Sequence, residues 1–109
     1  MGVNKGINKG MTEREKIEVA ETKIRICQKQ HFKCGVCGEL ITPYTLQLAH
    51  RIPKTKYNLK TYGKEIIHND LNMVACCSLK CNSSVLLDPA THPIEAMELI
   101  EEIKESLNE

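Results

Sequence analysis

Apolar positions near the N-terminus recur at the spacing of one helical face. They are Ile17, Ala20, Ile24 and Cys27. Thr12 and Glu15 have the spacing of a capping box, in which each side chain accepts a hydrogen bond from the other residue's backbone N–H. The pattern predicts an amphipathic helix over residues 12–30. Cys27, on the apolar stripe, is interpreted as a small buried hydrophobic residue.

A second amphipathic helix is predicted over residues 93–108. Pro93 suits the first helical turn, because its ring presets φ and its missing N–H is not needed there. The apolar stripe consists of Met97, Ile100, Ile103 and Leu107. Residues 93–109 also contain six Glu and a single Lys, so this end of the chain is acidic. His92 is expected to cap the helix.

Between these helices the chain is broken by Gly, Pro and Asn, and two segments alternate apolar and polar residues. Residues 46–50 (LQLAH) and 71–75 (LNMVA) are therefore predicted strands. The segment 51–64 contains five cations and no acid. Two helices and a short sheet in one chain predict the α+β fold class.

Length and composition limit what the chain can be. Its 109 residues predict one domain, over residues 12–109. With three Tyr, one Phe and no Trp, the hydrophobic core is expected to be small and to need a stabilising cross-link such as a disulfide or a bound metal ion. Residues 1–11 repeat Asn-Lys-Gly and are predicted to form a flexible tail. A net charge of +1 excludes a uniformly basic nucleic-acid coat. Because the chain has neither an apolar run that crosses a bilayer nor a secretory signal, we expect a cytoplasmic location, where thiols stay reduced.

Under reducing conditions the six cysteines favour metal binding over disulfides. Cys34 and Cys37 form a C-x-x-C pair, which can occupy two corners of a tetrahedral zinc site. Gly35 and Gly38 permit the tight turn that this requires. A redox C-x-x-C is the rival interpretation, but it normally lies in a βαβ unit, which the chain does not show.

The segment 76–81 (CCSLKC) supplies the other two corners through Cys81 and one of the adjacent pair. Cys77 is favoured over Cys76, because a helix beginning here would place Cys77 one turn from Cys81. The gap of 39 residues between the two pairs exceeds the usual ~15–20, which suggests that something functional is built there. Zinc binding supplies ~10–16 kcal/mol in small domains, so this ion would decide whether the chain folds.

These elements together resemble the HNH endonuclease family in its zinc-containing ββα-metal form. In chain order they are the C-x-x-C pair, the segment 49–53 (AHRIP), the segment 72–77 (NMVACC) and Cys81 followed by Asn82. The resemblance covers roughly residues 25–87, and the final Asn makes the chain an H-N-N variant. It implies a small zinc-stapled ββα-metal core flanked by the two amphipathic helices.

The resemblance also implies metal-dependent hydrolysis of phosphodiester bonds in DNA. His50 would be the general base, since a neutral imidazole can take a proton from water near pH 7. Asn72, on the opposite strand, would orient His50 by bonding the backbone near it. Asn82 would ligate a catalytic Mg²⁺ or Mn²⁺ ion through its amide oxygen.

One position departs from the pattern. Many family members carry a metal-ligating Asp or His directly before the general base, whereas this chain has Ala49, as some other members do. His68, Asp70 or the substrate phosphate could complete the shell of the catalytic ion. Of these, His68 is the preferred replacement ligand.

The cations that follow His50 are interpreted as a phosphate-binding loop. They are Arg51, Lys54, Lys56, Lys60 and Lys64. Such contacts position a duplex without reading bases, so the predicted partner is double-stranded DNA bound with little sequence specificity.

Two alternatives to a nuclease remain open. The first is a zinc-ribbon module that binds nucleic acid without catalysis, for which His50 would be dispensable. The second is a protein-interaction adaptor that works through the acidic C-terminal helix. A homodimer through the terminal helices is a further possibility, since it would convert one nick into two.

Overall fold

The computed structural model describes residues 12–108, and the predicted tail at residues 1–11 lies outside them. The fold mixes helices with a small two-stranded sheet, as the α+β prediction requires. The elements are α1 (Glu13–Lys29), β1 (Gln47–His50), α2 (Lys56–Tyr62), α3 (Lys64–Ile67), a 3₁₀ turn (Asp70–Asn72), β2 (Met73–Cys76), α4 (Leu79–Ser84) and α5 (Pro93–Leu107).

Helix α1 begins with the expected capping box. The Thr12 N–H donates to Glu15 Oε1 at 2.9 Å, and the Glu15 N–H donates to Thr12 Oγ1 at 3.2 Å. The predicted apolar stripe is wrong at three of its four positions, because Ile17 is 57% exposed, Ile24 is 42% exposed and Ala20 is exposed as well. Only the C-terminal part of the helix packs on the sheet, where Ile26 and Cys27 are buried. An apolar stripe is buried only as far as a facing element extends.

Strands β1 and β2 pair antiparallel, with Gln47 opposite Cys76 and His50 opposite Met73. The second strand begins later than predicted, since Asn72 lies in the 3₁₀ turn before β2 and not on the strand itself. Helix α4 follows directly and packs against both strands. The resulting order is strand, strand, helix.

The 51–72 connection between the strands is not an open loop as expected, because it folds into two short helices. Phosphate binding by its cations stays a prediction. Thr55 caps α2 by accepting from the Asn58 N–H at 3.0 Å. The Asn58 side chain is 5% exposed and donates to the Pro53 carbonyl at 2.9 Å. This connection is therefore an ordered part of the fold.

Helix α5 closes a second core around the connection. Its buried residues are Ala96, Leu99, Ile100 and Ile103, which cluster with Ile52, Ile66 and Ile67. The predicted stripe is wrong at both ends, because Met97 and Leu107 are each 47% exposed. His92 occupies the cap position, but its side chain makes no capping hydrogen bond.

No helix among residues 12–108 has the length and apolar character that a membrane span needs. The single domain, the cytoplasmic location, the homodimer and the adaptor role of the acidic helix stay predictions.

Candidate metal centre and histidine pair

The first two cysteines lie in a tight turn after α1. The Cys34 N–H donates to the Glu39 carbonyl at 2.8 Å, and the Gly38 N–H donates back to the Cys34 carbonyl at 3.1 Å. Gly38 has φ 82°, a conformation that side-chain-bearing residues rarely adopt. At Gly35, an added Cβ would lie 2.5 Å from a Val74 methyl carbon. Both glycines are therefore needed, one for conformation and the other for close packing on β2.

The structure brings four thiols together at the end of the sheet. The sulfurs of Cys34, Cys37, Cys77 and Cys81 all lie within 4.8 Å of one another. Cys77 Sγ is 3.4 Å from Cys37 Sγ and 3.8 Å from Cys81 Sγ. Four sulfurs at about 2.3 Å from a tetrahedral zinc ion would lie roughly 3.8 Å apart. The cluster can hold a metal ion such as zinc.

The choice between the adjacent cysteines is decided by burial. Cys76 is the last residue of β2, and its side chain is wholly buried in the core around the sheet. Burial raises the pKa of the Cys76 thiol to about 12, so it remains protonated. Cys77, just past the strand, reaches the other three thiols. The cluster contains Cys77 and not Cys76, although Cys77 lies before α4 and not one helical turn from Cys81 as expected. Its role as a metal ligand stays a prediction.

The environment of Cys34 favours a thiolate. Burial by itself raises its pKa, but backbone N–H groups of Cys37, Val36 and Cys77 hydrogen-bond the sulfur and lower the pKa to about 6. A thiolate is the form that ligates a metal. Ser78 supports the other half of the cluster by capping α4, since its Oγ accepts from the Cys81 N–H at 3.2 Å.

Gln30 is a supporting residue that the sequence analysis missed. Its Oε1 accepts from the Ala75 N–H, and its Nε2 donates to the carbonyls of Ala75 and Lys33, each at 2.9 Å. A side-chain amide thereby pairs with the edge of β2 as a neighbouring strand would. Gln30 ties the end of α1, the cysteine turn and the sheet together. No local pattern indicates its pairing with β2, because Ala75 is 45 positions away in the sequence.

His50 ends β1, and its ring is half-buried beside the ring of His68. His50 Nε2 lies 3.2 Å from His68 Nδ1, and the two rings meet edge to face at 80°. Burial, then His68, then Lys54 lower the pKa of His50 to about 4. The pKa of His68 is also lowered, by burial and by Lys54 and Lys64. Both rings are therefore neutral near pH 7.

Asn72 is fully buried and holds the backbone that follows His50. Its Oδ1 accepts from the Ile52 N–H at 2.8 Å, while its Nδ2 donates to the carbonyls of Ile52 at 3.1 Å and Ile67 at 2.8 Å. Its own carbonyl accepts from the Arg51 N–H at 2.8 Å. The side chain thus fixes the exit of β1 against the end of α3.

Asn82 follows Cys81 on α4, which packs against both strands. Its side chain is half-buried. Ala49 is 1% exposed and points into the core, so it contributes no ligand atom. Asp70 accepts two hydrogen bonds from Arg25, at 2.6 and 2.9 Å, which removes it as a free ligand for an ion.

The five predicted nucleic-acid residues lie along the connection that follows β1. The four lysines are exposed, and Lys56 and Lys60 stand one turn apart on α2. Among residues 12–108, none of the five forms an ion pair with an acidic side chain. Their charges are available to an external anion.

No family model, no curated protein and no solved structure matches this chain.

Proposed function

We propose that the chain is a metal-dependent DNA endonuclease of the HNH type, built on a zinc-stapled ββα-metal core. The observation that supports this most is the combination of His50 with Asn72. The imidazole lies at the end of β1, and the buried amide bonds the backbone two residues further on. This is the role that the family resemblance assigns to the middle Asn. The order of β1, β2 and α4 agrees with the family's core unit.

In this proposal the four-cysteine cluster holds a structural zinc ion. Four thiolates leave no open coordination position, which is typical of structural and not catalytic zinc. The ion would fix the cysteine turn and the start of α4 to the end of the sheet. By doing so it would stabilise β1 and α4, the elements that carry His50 and Asn82, relative to each other.

His50 acts as general base. It takes a proton from a water molecule whose oxygen bonds to phosphorus as the bond from phosphorus to the 3′ oxygen breaks. The leaving 3′ oxygen takes up a proton from solvent, and the phosphate remains on the 5′ side. A neutral His50 is required for the first step, and burial keeps it neutral at pH 7 by lowering its pKa to about 4. The same shift makes the ring a weaker base than a free imidazole, so the bond that the protonated ring makes to its partner matters for this step.

Asn82 is the proposed protein ligand of a catalytic Mg²⁺ or Mn²⁺ ion, together with oxygens of the bound phosphate. Such an ion would stabilise the charge that develops on the leaving oxygen. Because Ala49 offers no ligand atom, binding of the catalytic ion would depend strongly on the oxygens of the substrate phosphate. The role of His68 as a further metal ligand stays a prediction.

Arg51 and the lysines of the connection support DNA as the substrate. Exposed cations without acidic partners can neutralise phosphates, and each neutralised phosphate releases counterions. The segment begins directly after His50, so a DNA backbone bound there would lie beside the imidazole of the proposed general base. Contacts from these cations to phosphates would position a duplex without reading its bases, which favours weak sequence specificity.

The test is plasmid cleavage by zinc-loaded protein in Mg²⁺, Mn²⁺ or Ni²⁺, followed by EDTA and then by restored metal. We expect cleavage that EDTA stops and the restored ion recovers. His50→Ala should abolish it, whereas the exposed His92→Ala should not. Intact plasmid with every metal, at full zinc occupancy, refutes the enzyme proposal.

The second candidate is a zinc-containing nucleic-acid-binding module without catalysis. Ala49 favours it, because a buried methyl group takes the place of a metal ligand. This candidate predicts that wild type and His50→Ala bind DNA equally and that neither cuts it.

A further inference from the structure

The imidazole of His68 is in hydrogen-bond contact with the proposed general base. It lies at the C-terminal end of α3, where its N–H donates to the Lys64 carbonyl at 2.9 Å. Its ring meets that of His50 with centroids 5.3 Å apart. The contact between His50 Nε2 and His68 Nδ1 is the only hydrogen bond of either imidazole among residues 12–108. The free nitrogens are thus His50 Nδ1 and His68 Nε2.

A contact of 3.2 Å between two ring nitrogens requires one hydrogen between them. If His50 donates, both rings carry their hydrogen on Nε2, which is the preferred tautomer of a free neutral imidazole. If His68 donates, both rings must carry it on Nδ1, and the exposed His68 Nε2 would lose its hydrogen. The first arrangement also leaves a lone pair on His50 Nδ1, which makes no hydrogen bond to any group of residues 12–108.

We propose that His68 is a positioning residue for His50: its Nδ1 accepts the Nε2–H of His50 and so fixes His50 Nδ1 as the proton acceptor. The tautomer itself does not depend on catalysis, but its catalytic consequence rests on the proposed function. When His50 Nδ1 takes a proton from water, His50 becomes a cation that still donates through Nε2. The bond to His68 then becomes charge-assisted, which stabilises the protonated base.

Burial and the positive charge of Lys54 lower the pKa of both rings, and Lys64 acts in the same way on His68. Each ring is therefore neutral at pH 7.5, which is the form in which His68 Nδ1 can accept a hydrogen bond from His50 Nε2.

Nitrogen-15 NMR of the imidazoles tests the tautomer in the zinc-loaded wild type at pH 7.5, without added Mg²⁺. The four histidine signals are assigned with single His→Ala variants. We expect His50 to carry its hydrogen on Nε2 and to bond His68 Nδ1. A His50 that carries its hydrogen on Nδ1 overturns the proposal, whether or not the protein cuts DNA.

Variants of His68 test the functional consequence in the plasmid assay. His68→Ala should lower kcat by about 10- to 100-fold with little change in KM. His68→Asn should restore part of this, because its Oδ1 can accept in place of Nδ1. His92→Ala is the matched control, and zinc content with circular dichroism shows that each variant folds. Equal kcat for wild type and His68→Ala, or an Asn variant no better than Ala, contradicts the positioning role. A wild type with the expected tautomer but no cleavage refutes only the nuclease proposal.

Discussion

Replacing Asn72 with Ala should strongly destabilise the fold, because one wholly buried side chain makes three hydrogen bonds to backbone groups. The variant removes the acceptor for the Ile52 N–H and the donors for the Ile52 and Ile67 carbonyls. Ile52 and Ile67 are themselves 0% exposed, so their backbone groups lose their partners inside the core. Each buried group left unsatisfied costs about 1–3 kcal/mol. A water molecule that enters the vacated space would offset part of this, which gives a total of about 3 kcal/mol.

Urea unfolding in saturating zinc and reductant measures the effect. With a denaturant slope of about 1.5 kcal/mol/M, a loss of 3 kcal/mol moves the midpoint down by about 2 M. Total stability of a domain is about 5–15 kcal/mol, so the variant would still fold. Asn72→Asp should be worse than Ala, because a carboxylate oxygen would replace the amide nitrogen that faces two carbonyls.

Asn58→Ala is the matched control. Its side chain is also buried but donates a single hydrogen bond, to the Pro53 carbonyl, so we expect a loss of about 1 kcal/mol. If the free energy of unfolding of Asn72→Ala lies within 0.5 kcal/mol of the wild-type value, the hydrogen bonds of Asn72 to the backbone of Ile52 and Ile67 do not hold the end of β1 in place. That result would also contradict the role of Asn72 in orienting His50.

Three further outcomes are expected. Cys77→Ser should lose zinc by atomic absorption while Cys76→Ser keeps it; equal zinc content would contradict the assignment. The pKa of His50 is about 4 in the folded protein and 6.5 in the unfolded chain, so between these pH values the unfolded chain binds a proton that the folded protein does not. The contribution of His50 to the free energy of unfolding is therefore complete above pH 6.5 and is lost as the pH falls to 4. Solvent screening of this half-buried ring reduces the loss to about 1–2 kcal/mol, and a His50→Asn variant whose stability has the same pH slope as wild type would refute it. In a filter-binding assay, the log–log salt slope of DNA affinity should be roughly −4 to −5, and Lys56→Ala with Lys60→Ala should reduce its magnitude by about 2; an unchanged slope would exclude these residues as phosphate contacts.

Local patterns were sufficient for the elements whose causes are local. The capping box of Thr12 and Glu15 and the Pro93 start of α5 depend on residues within one turn of each other. The C-x-x-C turn with Gly38 is likewise short-range, whereas Gly35 is needed because Val74 of β2 packs closely against it. Which part of an apolar helix face is buried depends on elements that are distant in sequence. This is why Ile17 and Met97 are exposed, contrary to the prediction.

By itself the sequence determined the class of the fold, the helices at both ends and the two cysteine pairs, because periodicity, capping and ligand spacing act between near neighbours. Helical spacing favoured Cys77 over Cys76, but the physical reason came from the tertiary structure, because β2 ends with Cys76 buried in the core and Cys77 reaches the cluster from outside the helix. Only the tertiary structure decided that Gln30 pairs with β2 and that His68 meets His50. Those contacts join residues 18 and 45 positions apart. They form only when the chain closes on itself, so no spacing along the sequence encodes them.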